Sequence, residues 1–110
     1  MKNKRIEMPH AVHFICAPEC MFSRATYING FVVSTVGEFI SNHTKKIQPV
    51  GSFPKELYET MVFAAKKNKE CPVCPFVPKD FSEPVHHVRH ATAKEANDAH
   101  EAFVAELELK

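Results

Sequence analysis

Cys71, Cys74, His86 and His90 fall in the spacing C-x2-C-x11-H-x3-H within "CPVCPFVPKDFSEPVHHVRH", residues 71–90. Thiolate and imidazole are the ligands that Zn2+ takes in structural sites, four of them in a tetrahedron. Two cysteines separated by two residues can turn inward from one tight loop, and two histidines four apart can do so from one turn. The stretch therefore predicts a structural zinc loop with Cys71, Cys74, His86 and His90 as ligands. His87 and His100 compete at the imidazole end. A base-reading ββα finger is not expected, because such a finger carries its histidines on a helix. Pro84 stands just ahead of His86 and disrupts a helix there, and Pro78 occupies the place of the aromatic core residue. The prolines make 71–90 an extended loop.

A second group, His10, His13, Cys16 and Cys20 in "HAVHFICAPEC", offers further ligands. The four cysteines can share one site, or each group can bind separately. The alternative is that Cys16 is a small buried residue and Cys20 has no role. Redox use of Cys71-x-x-Cys74 needs a helix starting at the first cysteine, and the prolines after Cys74 argue against one. No G-x-S-x-G and no P-loop is present. His86, His87, His90 and Glu59 include acid–base groups, but nothing in their spacing selects them. Lys66, Lys67 and Lys69 in "KKNK" are candidates for phosphate contact or for a solvated loop.

The chain of 110 residues suits one domain, 1–110, and 45% hydrophobic content allows a core. A net charge of +1 argues against strong non-specific nucleic-acid binding. Residues 1–70 carry ten Lys/Arg against six Asp/Glu, and residues 71–110 carry four against seven. The N-terminus starts basic, but Glu7, Pro9, His10 and His13 interrupt it, which makes a poor signal peptide. No run approaches the length of a membrane span. The expected location is a reducing cytoplasm, where paired cysteines serve as metal ligands more often than as disulfides.

Asn29-Gly30 between two β-rich runs predicts a type I′ hairpin, with strands near Ser23–Ile28 and Phe31–Phe39. The second strand is apolar on both faces, which suits a central position. A short strand is expected at Ile47–Val50. "LYETMVFAA", 57–65, reads as a third main strand near 57–64, with a helix over 56–67 as the alternative. As a strand it sets Glu59 in the row of Leu57, Met61 and Phe63, either at a sheet margin, solvated or paired with an arginine, or buried and functional. Thr92-x-x-Glu95 forms a capping box for a helix over about 93–108. Its apolar stripe is Ala93, Ala96, His100, Phe103, Val104 and Leu107, and His100 there reads as a hydrogen-bonded core residue or a ligand. The expected fold class is α+β, a small antiparallel sheet covered by the C-terminal helix, with the Cys/His loop at 71–90.

"VVSTVGEF" (32–39), "LYETMVF" (57–63) and "EANDAHEAF" (95–103) occur in that order. This pattern resembles small uncharacterised proteins of bacteriophages and prophages, over roughly residues 31–107. Tyr58, Glu59, Thr60, Met61, Val62, Phe63 and His100 carry the match. The resemblance implies a phage origin and a place in the cytoplasm of the host bacterium, and it implies no activity. By analogy of class, a non-enzymatic binding protein is expected. It would be stabilised by the zinc loop and would engage a host or phage macromolecule in anti-defence or host takeover. The alternatives are a nucleic-acid-binding module using the Lys-rich loop and His cluster, and a small metal-dependent hydrolase or nuclease with an open zinc site.

Overall fold

The computed structural model describes residues 4–8, 23–37, 39–40, 47–48, 58–69, 75–80 and 82–109. Asn29 and Gly30 take φ of 46° and 87°, the paired left-handed conformation of a type I′ turn. They join β2 (Ser23–Ile28) to β3 (Phe31–Val36). Ahead of them β1 (Ile6–Met8) pairs antiparallel with β2. Phe39–Ile40 (β4) and Ile47–Gln48 (β5) form a separate two-stranded ladder. The strand expected to run to Phe39 therefore ends at Val36. The expected third strand is β6 (Tyr58–Lys67), which pairs with β3 along Glu59 to Ala64; the helix alternative is not adopted.

The extended loop expected over 71–90 needs correction in its described part, which holds two strands. β7 (Phe76–Pro78) and β8 (His86–His90) both pair with β6. Ala65 faces Pro78 and Val62 faces His86, so three steps along β6 match eight along its partner, and five residues loop out. Lys79 N donates to Ala64 O and Val85 N to Val62 O, both at 2.7 Å, which fastens the two ends of the loop. Within it Asp80 Oδ1 accepts from Ser82 N at 2.9 Å and Ser82 Oγ at 2.6 Å, a turn that an aspartate builds on its own backbone neighbourhood. The prolines thus interrupt one edge strand without abolishing it. A proline is tolerated where the partner is on one side only.

The sheet order is β1-β2-β3-β6, with β7 and β8 along the far edge of β6. The helix α1 (Ala93–Glu108) lies on one face, with the expected boundaries. Thr92 caps it: its side chain accepts from Glu95 N at 3.1 Å, worth about 1 kcal/mol. Glu95 reaches back to Ala91 N at 3.2 Å, one residue before the cap. Under the helix, Ile28, Val33, Val62, Val104 and Leu107 form one core cluster, flanked by Phe31 and Phe103. On the opposite face Met8, Ala25 and Val32 form a second, joined by Ile6, Tyr27, Ala65, Phe76 and Val77. Phe76 stacks on Tyr27 with ring centroids 3.6 Å apart, so β7 curls over that second face. Among the described residues no helix is long and apolar enough to cross a membrane.

Candidate functional site

Strict alternation along the strands decides which polar groups meet. Thr26, Thr35 and Thr60 all point toward α1, and Thr35 lies directly opposite Thr60. Glu7 on β1 lies directly opposite Thr26. His100 sits in the buried stripe of the helix, fully covered. Its Nε2 is 2.8 Å from Thr26 Oγ1 and its Nδ1 is 2.7 Å from Thr35 Oγ1. Thr35 Oγ1 is 2.9 Å from Thr60 Oγ1, and His90 Nε2 is 3.1 Å from Thr60 Oγ1. At the other end Thr26 Oγ1 donates to Glu7 Oε2 at 2.9 Å. The result is one unbroken chain, Glu7–Thr26–His100–Thr35–Thr60–His90, in which each member comes from a different element. Among the described residues no buried side-chain nitrogen or oxygen lacks a partner.

Burial holds the His100 pKa down at about 4, aided by the Arg24 and Arg5 cations and opposed by Glu101. The imidazole is therefore neutral near pH 7. Burial also lowers the pKa of His90, against the pull of Glu95. Around the Glu7 end, Arg24 donates to Glu7 Oε1 at 2.9 Å and to Glu101 Oε2 at 3.1 Å. Arg5 reaches both Glu101 and Glu108, each at 3.0 Å. These half-exposed pairs tie the strand edge to the helix, each contributing modestly in water.

The sequence-predicted residues distribute as follows. Cys71 and Cys74 lie outside the described residues, as do His10, His13, Cys16 and Cys20. His86 and His90 are on the helix-facing side of β8, about 13 Å apart at a strand rise of about 3.3 Å per residue. That exceeds the span two imidazoles bridge at metal–nitrogen distances of about 2 Å. The His86 ring packs against Phe103 with centroids 5.6 Å apart, whereas His90 is bonded to Thr60. His87 points to the opposite face, where its Nε2 is 2.6 Å from Glu59 Oε2. Arg89 Nε donates to the same oxygen at 3.1 Å. Glu59 is thus both buried, at 8% exposure, and paired with an arginine. An imidazole oriented by a carboxylate can position a general base, but here Arg89 shares the carboxylate oxygen and closes the cluster. Among the described residues no group of three or more His, Cys, Asp or Glu gathers in a way that could hold a metal. Lys66, Lys67 and Lys69 are exposed at the β7 end of β6, with Lys79 also exposed at the start of the loop that follows β7.

Sequence reasoning set His100 in the apolar stripe, as a hydrogen-bonded core residue or a ligand, and missed the threonines. Thr26, Thr35 and Thr60 look like ordinary strand formers. The available signal was their parity: each falls in the strand row that faces a helix carrying one histidine in its apolar stripe.

On its outer side β8 presents a mixed surface. Four of its five residues are exposed, and Val88 and the preceding Val85 are 41% and 52% exposed. His86, His87 and Arg89 surround them. Comparison with protein families, with curated proteins and with solved structures finds no match to this chain.

Proposed function

We propose that the protein is a small non-enzymatic binding module that engages a host or phage protein through β8. Its partner would be an extended apolar segment added to the sheet edge. The observation that carries this reading is the composition of β8: an exposed edge strand with Val85 and Val88 among His86, His87 and Arg89. Edge strands offer backbone groups for strand addition, and flanking side chains set the partner's chemistry. Two half-exposed valines favour apolar side chains, while His87 and Arg89 are held by Glu59 beneath the strand. The phage-like segments at 32–39, 57–63 and 95–103 support the host or phage origin of the partner. A photocrosslinker at Val88 tests it in infected cells. The expected result is a crosslinked protein whose captured peptide is apolar and extended. Val88→Asp should weaken that complex by more than about tenfold, or about 1.4 kcal/mol, with Tm unchanged. Undiminished binding by the variant, or crosslinks that map only to other faces, would sink the proposal.

The exposed lysines at 66, 67, 69 and 79 support a second reading, a nucleic-acid-binding module. DNA or RNA binding that falls steeply with salt and is lost on Lys-to-Ala replacement at these positions would favour it over the first. The structural zinc loop belongs to the proposal through the spacing of Cys71 and Cys74, with at most one of His86 and His90 completing a given tetrahedron. The expected result is close to one zinc per purified chain and a clear fall in Tm on chelation. Metal far below one per chain, with no change in melting, removes the loop from the reading.

A further inference from the structure

The hydrogens of the chain, buried from Thr26 to His90 and open to water at Glu7, can be counted, and the count fixes its direction. The ionised Glu7 carboxylate only accepts, so the Thr26 hydroxyl hydrogen is committed to it. Thr26 Oγ1 then accepts, and His100 must carry its hydrogen on Nε2. The neutral ring leaves Nδ1 as an acceptor, so Thr35 donates to it. Thr35 in turn accepts from Thr60, and Thr60 accepts from His90 Nε2–H. Every donor points from β8 toward β1. Both imidazoles are Nε2–H tautomers, and His90 Nδ1 is left as an acceptor.

Turning one hydroxyl alone puts two hydrogens, or two lone pairs, at one contact. Buried contacts of that kind are expensive because nothing else satisfies the group. The chain therefore has two low-energy settings, all forward or all reversed. They differ by one proton. Starting forward, a proton joins His90 Nδ1, and the Nε2 hydrogen of His90 passes to Thr60. The Thr60 hydrogen passes to Thr35, and that of Thr35 to His100 Nδ1. The Nε2 hydrogen of His100 passes to Thr26, and that of Thr26 to Glu7. The end state has a neutral Glu7 carboxyl, both rings as Nδ1–H tautomers, and one hydrogen still on each threonine.

We propose that this chain is a tautomeric relay that couples Glu7 at one edge of the sheet to His90 at the other. What it transmits is the character of His90 Nδ1: an acceptor when Glu7 is ionised and a donor when the chain is reversed. The charged groups facing the relay are Arg24 on β2 and Arg5 before β1, Glu101 on the helix, and Glu95 near His90. Arg24 holds Glu7 Oε1, the carboxylate oxygen that Thr26 does not use.

The test is the tautomeric state of each ring, read from imidazole 15N chemical shifts near pH 7. In the unaltered protein both His100 and His90 should be Nε2–H. Thr26→Val removes the acceptor for His100 Nε2–H and the link to Glu7. A buried N–H without a partner is rarer than a partly unsatisfied acceptor, so His100 should change to Nδ1–H. The reversal should then run through Thr35 and Thr60, and His90 should change with it. Thr26→Ser, which keeps the hydroxyl, should leave both rings as they were. A change at His100 without one at His90 overturns the relay, as does no change at either ring in the folded variant. Should Thr26→Val not fold, the unaltered protein still decides: an Nδ1–H tautomer at either histidine overturns the assignment.

Discussion

His100→Leu is expected to destabilise the fold by about 2–4 kcal/mol at pH 7, although leucine suits the apolar stripe around Ala96, Val104 and Leu107. The imidazole makes two buried hydrogen bonds, to Thr26 and Thr35. Leucine makes neither, so Thr26 Oγ1 loses its donor while keeping Glu7, and Thr35 Oγ1 loses its acceptor while keeping Thr60. Each lost bond is worth about 1 kcal/mol, and a buried hydroxyl stranded without its partner adds about 1–3 kcal/mol. Thr35 can donate to Thr60 if Thr60 and His90 reverse with it, which limits the loss on that side. For a domain near this size the drop corresponds to a fall in Tm of roughly 10–20 °C. Denaturant unfolding measures it directly. The control is to remove the orphans as well: adding Thr26→Val and Thr35→Val to His100→Leu should recover a large part of the loss. Replacing all partners of a polar contact by apolar groups of similar shape is close to neutral, and contacting sites are non-additive. If His100→Leu alone leaves stability unchanged, the imidazole is not what joins the helix to the strands.

The sheet-and-helix architecture was legible because its signals are local. Asn29-Gly30 demands positive φ, and Thr92-x-x-Glu95 caps a helix wherever an apolar stripe follows. Alternation in "LYETMVFAA" placed Glu59, Met61 and Phe63 on one face and Thr60 and Val62 on the other, as the pairing with β3 and β8 shows. The strand at "HHVRH" had no such signal. Its sequence is mostly polar, it is short, and prolines precede it. What makes it a strand is the free edge of β6, a tertiary influence that local propensity does not register. The same edge changes what the histidine spacing means. Residues four apart are neighbours on a helix or turn but lie far apart on a strand.

Glu59 combines the burial of one reading with the arginine partner of the other. It is buried because its row faces the second core, and it is paired because β8 lays Arg89 opposite it and His87 diagonally beside it. A carboxylate taken out of water this far requires such partners. The helix-facing row behaves the same way with neutral groups. Threonines that pass for strand formers satisfy a fully covered histidine on both ring nitrogens.

That satisfaction has a sign in pH. Folded His100 holds its pKa at about 4, while an unfolded histidine titrates near 6.5. Between these values the unfolded chain binds a proton that the folded one refuses, so stability rises with pH across the window. The contribution is fully present above about 6.5, is lost as pH falls toward about 4, and changes no further below that. A displacement of this size is worth about 3 kcal/mol, as an order of magnitude. His90, whose pKa burial also lowers, adds to the loss in the same direction. Glu101 acts lower: its pKa lies below the usual carboxylate value, since Arg5 and Arg24 outweigh the opposing effect of burial, so its loss falls at more acid pH. Urea unfolding at pH 7.5 and 4.5 should show most of the difference, with the midpoint lower in acid. His100→Leu separates this group from the rest, because the variant lacks the titration. Its stability should vary less between the two pH values, so the two curves should converge in acid. Equal pH dependence in both proteins would mean that His100 is not the group refusing the proton.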